Sequence, residues 1–281
     1  MPGNPMCHEI ARIEVRTPMD QILYEVSDGI AAITLNRPEA ANAQTMALLD
    51  ELDAAWTRAA EDDAVRVIVL RANGKHFSAG HDLKDRWPAP KDLTLEWINN
   101  TEARRYLGYS LRWRNVPKPS IAAVQGKCIA AGLMLCWPCD LIVAAENAEF
   151  SDPVVRMGIG GVEYHGHTWE LGARKAKEIL FTGRALTATE AEQVGMVNRV
   201  VPLGELDAAT RELAERIARM PAFGLRQAKR AVNQTLDVQG FYSALQSAFD
   251  IHQTGHGNAL SVDGYPVLTR LEEMKEHIKQ A

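Results

Sequence analysis

Hydrophobic and polar positions change period along the chain, from twos to threes and fours and back. Residues 21–38 (QILYEVSDGIAAITLNRP) hold two β-type runs flanking Asp28-Gly29, and glycine takes positive φ at little cost, so a hairpin is predicted. Met46, Leu49, Leu52 and Trp56 then fall at helical spacing within residues 45–60. VRVIVLRA (65–72) has the composition of a buried strand, and HFSAGHDLK (76–84) of a glycine-containing loop. Residues 94–114 are predicted helical, stopped by Pro117 and Pro119. A strand (SIAAVQG, 120–126), a short apolar helix ended by Pro138 (IAAGLMLCW, 129–137) and another strand (DLIVAAE, 140–146) follow. Beyond the loop SDPVVRMGIGGVEYH, GARKAKEILF is predicted helical, and Thr187 and Glu190 stand in capping-box spacing at the start of a further helix. MVNRVVP is the last predicted strand, and from about residue 205 the pattern is helical with a break at Pro221. Alternating strands and helices followed by helices alone predict an α/β layered core with a helical C-terminal part.

Composition narrows the function classes. The 281 residues are 46% hydrophobic and 24% charged, enough for one sizeable core, and the net charge of −5 lacks the basic footprint of a nucleic-acid binder. The first twenty residues contain no apolar segment of a secretory signal, and no apolar run reaches the roughly 20 residues that cross a bilayer. Three of the four cysteines, Cys128, Cys136 and Cys139, cluster in an apolar stretch, as buried reduced thiols do, whereas Cys7 lies near the start. A cytoplasmic protein with neither nucleic-acid nor membrane partners is expected.

Four segments together carry a resemblance: NRPEAANAQT, VRVIVLRANGKHFSAGHDLK, VPKPSIAAVQGKCIAAGLMLCWPCDLIVAAENAEF and ILFTGRALTATEAEQVGMVNRVVP. Their order and spacing resemble the crotonase (enoyl-CoA hydratase/isomerase) superfamily from about residue 21 to 255. The resemblance implies an α/β fold, a crotonase-like spiral of ββα turns with a C-terminal helical oligomerisation region. It divides the chain into a tail (1–20), a spiral core (21–204) and a helical region (205–281), and it implies a homotrimer or hexamer. The implied ligand is an acyl-CoA thioester, with no cofactor beyond the CoA moiety of the substrate.

By the same resemblance, two backbone N–H groups polarise the thioester carbonyl as negative charge builds on its oxygen. They map to His81, after FSAG, and to Ala131, in IAAGL. Local chemistry suits both, because Gly80 permits close approach of the loop and Ala131 opens a helix whose first amides lack partners. CoA contacts map to the backbone near Ala79, the side chain of Leu83 against the adenine, and Lys84 near the phosphates. A tight turn, a packed helix and a solvated lysine are the bland alternatives for these residues.

Hydration of an enoyl thioester needs a base for water and an acid for the α-carbon. The two glutamate positions of hydratases map to Met134 and Val154, and a carboxylate position of dienoyl isomerases maps to Val162. None of these side chains moves a proton. Glu163 stands one residue from the last position, and Asp152 sits where β-diketone hydrolases of the family carry an aspartate. Both are candidate acid/base groups, although Asp-Pro is also a common turn and Glu163 could simply open a helix. Tyr164, His165, His167 and Glu170 lie nearby. The His165/His167 spacing of two would point the rings apart on a helix, and no metal site is expected. A titratable imidazole also places the ring of His81 among the candidates.

Cys136-Trp-Pro-Cys139 is a C-x-x-C at the end of an apolar helix, where an exposed activated thiolate is not expected. Trp87, Trp97 and Trp113 read as an acyl-pocket roof or as core. The charged run RLEEMKEHIKQ reads as a solvated helix. Three functions remain open: an enzyme working through an enolate-type intermediate with relocated acid/base groups; a thioester or β-diketone C–C hydrolase led by Asp152 or Glu163; and a non-catalytic acyl-CoA binder.

Overall fold

A computed structural model describes residues 20–85 and 92–269. The hairpin forms as the pattern predicts. Strands β1 (Ile22–Ser27) and β2 (Ile30–Leu35) pair antiparallel from Ile22 opposite Leu35 to Ser27 opposite Ile30, with Asp28 at φ 54° and Gly29 at φ 77° in the turn. Helix α1 (Met46–Glu61) starts where the Thr45 hydroxyl accepts the Leu48 N–H, and buries Leu48, Leu49, Leu52 and Trp56. It crosses to β3 (Val67–Ala72), which lies parallel to β2.

The helical stretch predicted at 94–114 is present but not uniform. Helix α2 (Leu95–Glu102) passes through a π-helical turn, Ala103–Leu107, into α3 (Gly108–Arg114). The Gly108 N–H donates to Ala103 O, and a Cβ on Gly108 would stand 2.7 Å from that oxygen, so glycine is what lets the widened turn close.

Two spiral turns follow. Each places one strand in a large sheet and a short one in a small sheet. The first has β4 (Ser120–Val124), β5 (Lys127–Ile129), a 3-10 turn (Ala130–Gly132) and α4 (Leu133–Cys136). The second has β6 (Leu141–Ala145), β7 (Glu149–Ser151), a 3-10 turn (Val154–Met157) and α5 (His167–Thr182), interrupted where Gly172 takes φ 72°, ψ 154°. Then come β8 (Leu186–Thr187), α6 (Ala188–Gln193) with its capping box at Thr187 and Glu190, and β9 (Arg199–Val201). The large sheet runs β1-β2-β3-β4-β6-β9, parallel after the first pair; the small sheet runs β5-β7-β8. Helices α7 (Leu206–Ala218), α8 (Ala222–Val238) and α9 (Phe241–Asp263) follow. This is the crotonase-like spiral of ββα turns.

Alternate residues of the central strands serve two cores. Ile68, Leu70, Ala122, Val124 and Ala144 face α1 and the main core. Val67, Val69, Ile121, Ala123 and Val143 face a smaller cluster closed by Leu206 and Ala214 of α7. Strands covered on both faces are apolar throughout, which is why VRVIVLRA carries no alternation.

Candidate active site

The loop after β3 is stitched to the small sheet. Ser78 N–H donates to Lys127 O (3.1 Å), and Ile129 N–H donates to Ser78 O (2.9 Å). On its other side, Gln44 N–H donates to Gly80 O and Asp82 N–H to Gln44 O, bracketing His81. The Ser78 hydroxyl accepts from Gly80 N–H and donates to Asn42 O. Gly80, at φ 89°, passes so close to the next strand end that a Cβ would meet Ile129 O at 2.8 Å and Ala131 N at 3.3 Å. The segment of His81 and the segment of Ala131 are thus brought together.

Ala130, immediately before, has φ 48°, a left-handed conformation that disfavours a Cβ and is held here by its surroundings. Ala131 follows within the 3-10 turn, where the first amides of a helix have no acceptor inside it. Among the described residues, neither the His81 nor the Ala131 N–H donates to the backbone of another element. Beside them opens a cavity of about 650 Å³ lined by Arg37, Ala79, His81, Leu83 and Lys84. The Leu83 side chain is exposed there, and Arg37 is held by Asp82 at 3.1 Å. Arg37 is a cation of this cleft that the sequence reading passed over, although it belongs to the NRPEAANAQT segment.

Behind the loop lies a buried polar chain. His81 Nε2 lies 3.2 Å from Glu163 Oε1, while the His81 ring stacks on Tyr106 at 3.8 Å between centroids. Burial, with Glu163 and Glu102 close by, pushes the Tyr106 phenol well above its usual range. The same Glu163 oxygen is 3.8 Å from His252 Nε2. His252 and His256 of α9 meet Glu102 at the end of α2, each with Nε2 3.3 Å from one of its carboxylate oxygens. Burial alone would raise the Glu102 carboxyl, but the imidazoles of His252 and His256 beside it hold it at about 2. Burial opposes charge on His252, yet Glu102 and Glu163 bring it up to about 9.

Glu163 therefore does not open a helix; it sits in the loop before α5, 3% exposed, facing the ring of His81. Asp152 is fully buried, and desolvation pushes its carboxyl up, but three contacts hold it below the usual range. Its oxygens accept the N–H of Val162 (2.9 Å) and of Val154 (3.3 Å) and lie 2.9 Å from His167 Nε2. Met134 is buried in the main core, as is Val162, and Val154 packs against it.

His165 and His167 differ from the helical expectation. His167 is the first residue of α5 and His165 precedes it, so the rings do not point apart but lie 4.3 Å from one another. Burial, with His167 adjacent, lowers His165 to about 4. Tyr164 and Glu170 line a different cavity of about 500 Å³ with Trp137, Trp169 and Lys229. Cys128, Cys136 and Cys139 are free and buried, and burial raises the Cys136 and Cys139 thiols far above the usual range. Trp113 is core, stacked on Trp56 at 6.0 Å; Trp97 is half-buried on α2; Trp87, Cys7 and the run at 270–280 lie outside the described residues. No helix among the described residues is long and apolar enough to cross a membrane.

With this geometry in place, comparison with known proteins is direct. The family model described as enoyl-CoA hydratase/isomerase matches residues 25–262, and the chain belongs to that family. The chain is 46% identical over 265 residues to a putative enoyl-CoA hydratase, EchA13, of Mycobacterium tuberculosis, covering 87% of this chain and 83% of that one. Its fold is similar to the crystal structure of a probable enoyl-CoA hydratase from Mycobacterium smegmatis, with a TM-score of 0.87, 76% identity, and coverage of 90% of this chain and all of that one. A probable enoyl-CoA hydratase from Mycobacterium thermoresistibile is also similar, with a TM-score of 0.85 and 78% identity over 88% of this chain and 98% of that one. These relatives place the chain among enzymes of the lyase and isomerase type.

Proposed function

We propose that this protein is an enzyme acting on an acyl-CoA thioester, with Glu163 and His81 moving the proton that Met134 and Val154 do not. The CoA moiety lies in the cleft of Ala79, Leu83 and Lys84, and Arg37 adds a second cation for its phosphates. The thioester carbonyl lies between the N–H groups of His81 and Ala131. Charge growing on its oxygen is met by two fixed donors, each contributing about 3–4 kcal/mol to the transition state. The observation that carries the reading is the 3.2 Å contact of Glu163 with the ring of His81, the residue whose amide faces the thioester. A carboxylate there takes a proton from the α-carbon or from water, directly or through the imidazole, and returns it to the enolate. This chemistry calls on no cofactor beyond the CoA of the substrate.

The hydrolytic reading uses the same Glu163 to activate water. Asp152, with its oxygens occupied by two backbone N–H groups and His167, suits an anchor better than a base. Buried free thiols fit a reducing compartment, and we place the protein in the cytoplasm. Helix α8 buries none of its residues and exposes Phe223, Val232 and Val238, which supports assembly into a trimer or hexamer.

The test is crotonyl-CoA hydration, read as loss of enoyl absorbance, for the wild type and Glu163→Gln, with CoA binding measured in parallel. Turnover that disappears in Glu163→Gln while binding persists supports the reading. Turnover unchanged in that variant overturns the role of Glu163. Tight binding without turnover of crotonyl-CoA or of thioester and β-diketone hydrolysis substrates favours the non-catalytic binder.

A further inference from the structure

In the polar cluster between α2 and α9, acceptor atoms crowd together when both imidazoles are neutral. His252 Nδ1 lies 2.7 Å from Gly161 O, and His256 Nδ1 lies 2.6 Å from Pro266 O. A carbonyl only accepts, so both Nδ1 atoms carry hydrogen and both neutral rings present a lone pair at Nε2. Those two Nε2 atoms converge, 3.0 Å from each other. Each also lies 3.3 Å from a different oxygen of Glu102. Gln253 pins that carboxylate, donating from Nε2 to Oε2 at 2.6 Å, while its own Oε1 is buried with no partner among the described residues. Glu102, His252, Gln253 and His256 are each at most 6% exposed.

One added proton on an imidazole satisfies one of these short contacts and leaves the others acceptor to acceptor. Two added protons bury two imidazolium rings against one carboxylate. A cation at the centre satisfies all of them at once. A tetrahedral ion with ligands at about 2.0–2.1 Å holds neighbouring ligand atoms about 3.3–3.4 Å apart. Here the two Nε2 atoms are 3.0 Å apart, each lies 3.3 Å from one oxygen of the carboxylate, and one ligand atom from each of the three residues falls within 4.8 Å of the others. The backbone carbonyls behind both Nδ1 atoms and the amide behind the carboxylate are the outer partners that orient metal ligands.

We propose that Glu102, His252 and His256 form a binding site for a divalent first-row transition cation, Zn²⁺ or Fe²⁺ by ligand type. Three protein ligands leave a coordination position open. A further carboxylate oxygen, Glu163 Oε1, lies 3.8 Å from His252 Nε2. The ion clips α9 to the end of α2, one residue before the π-helical turn. The site stands independently of the acyl-CoA reading, because its test reads metal rather than turnover.

The full-length protein, expressed in medium supplying zinc and iron and purified without chelator, is analysed for metal content; which ion is retained distinguishes the two. After chelation, Co²⁺ is added and its visible absorption recorded, followed by Zn²⁺ competition. The expected result is one equivalent per chain, with an intense low-symmetry Co²⁺ spectrum that Zn²⁺ abolishes. Glu102→Gln and His256→Gln, with folding checked by circular dichroism, lose the spectrum. Gln253→Leu keeps it with affinity weakened by about 10–100-fold. A Co²⁺ spectrum equal to that of the hydrated ion overturns the proposal. So does binding unchanged in Glu102→Gln and His256→Gln, which would assign the ion to other residues.

Discussion

One carboxylate oxygen of Glu163 lies 3.2 Å from Nε2 of His81, across 82 positions of sequence. The backbone of His81 is committed to the turn that meets Ala131, so its ring and its amide are separable parts. His81→Ala removes the ring and keeps the amide. In the proposed reaction, turnover of an enoyl-CoA falls by about 10²-fold, while CoA affinity stays within roughly threefold. Steady-state kinetics with a binding isotherm check both; unchanged turnover would leave the imidazole without a part in proton transfer.

Gly80 is the hinge of the same turn. An added Cβ meets Ile129 O at 2.8 Å on a backbone at φ 89°. Gly80→Ala is expected to cost roughly 1–3 kcal/mol of stability through strain and contact. By moving the two amides apart it lowers kcat/KM by about 10²–10³-fold. Urea unfolding and kinetics on the folded fraction separate the two losses.

Asp152 is fully buried and holds two loop amides and His167. Asp152→Ala leaves those donors without an acceptor and is expected to destabilise the fold by about 3–5 kcal/mol. Activity per folded chain should change little. If that activity vanishes while the unfolding midpoint holds, Asp152 belongs in the reaction after all.

Glu170 gives the stability a pH dependence of known sign. In the unfolded chain its proton leaves near 4.5, whereas burial holds it to about 7 in the folded state. Between those values the folded state binds more protons, so stability conferred at low pH is lost as pH rises through about 7. The loss is on the order of 1–3 kcal/mol. The difference between wild type and Glu170→Gln, measured by denaturant unfolding from pH 4 to 8, isolates this group; a flat difference would show that the carboxyl ionises freely.

The apolar side chains that α8 leaves exposed predict self-association. Light scattering should give a mass three or six times the 31.0 kDa of one chain. Replacing Phe223 and Val232 by aspartate should lower that mass. A wild-type mass of one chain would count against assembly through this helix.

Local pattern made the scaffold legible. The Asp28-Gly29 hairpin, α1, the doubly covered strands and the Thr187 capping box stand where periodicity and turn chemistry put them. Three-residue strands such as β5 and β7 escaped, because so short a run has no period. The π-helical turn escaped because Gly108 within a helical pattern looks like an ordinary weak spot. The polar cluster was invisible as a unit, since Glu102 and His252 are separated by most of the chain. One signal was present: Leu245, Phe249, His252, His256 and Ala259 share one buried face of α9, placing two histidines four apart on an apolar stripe.

That stripe comes late in the chain, whereas the Glu102 and Glu163 it contacts come much earlier. During synthesis the large sheet, the small sheet and the His81–Ala131 turn can all be laid down before α9 leaves the ribosome. A chain ending before residue 252 lacks both imidazole partners of Glu102. The last helix thus completes, late in synthesis, a buried polar cluster whose carboxylates are made early.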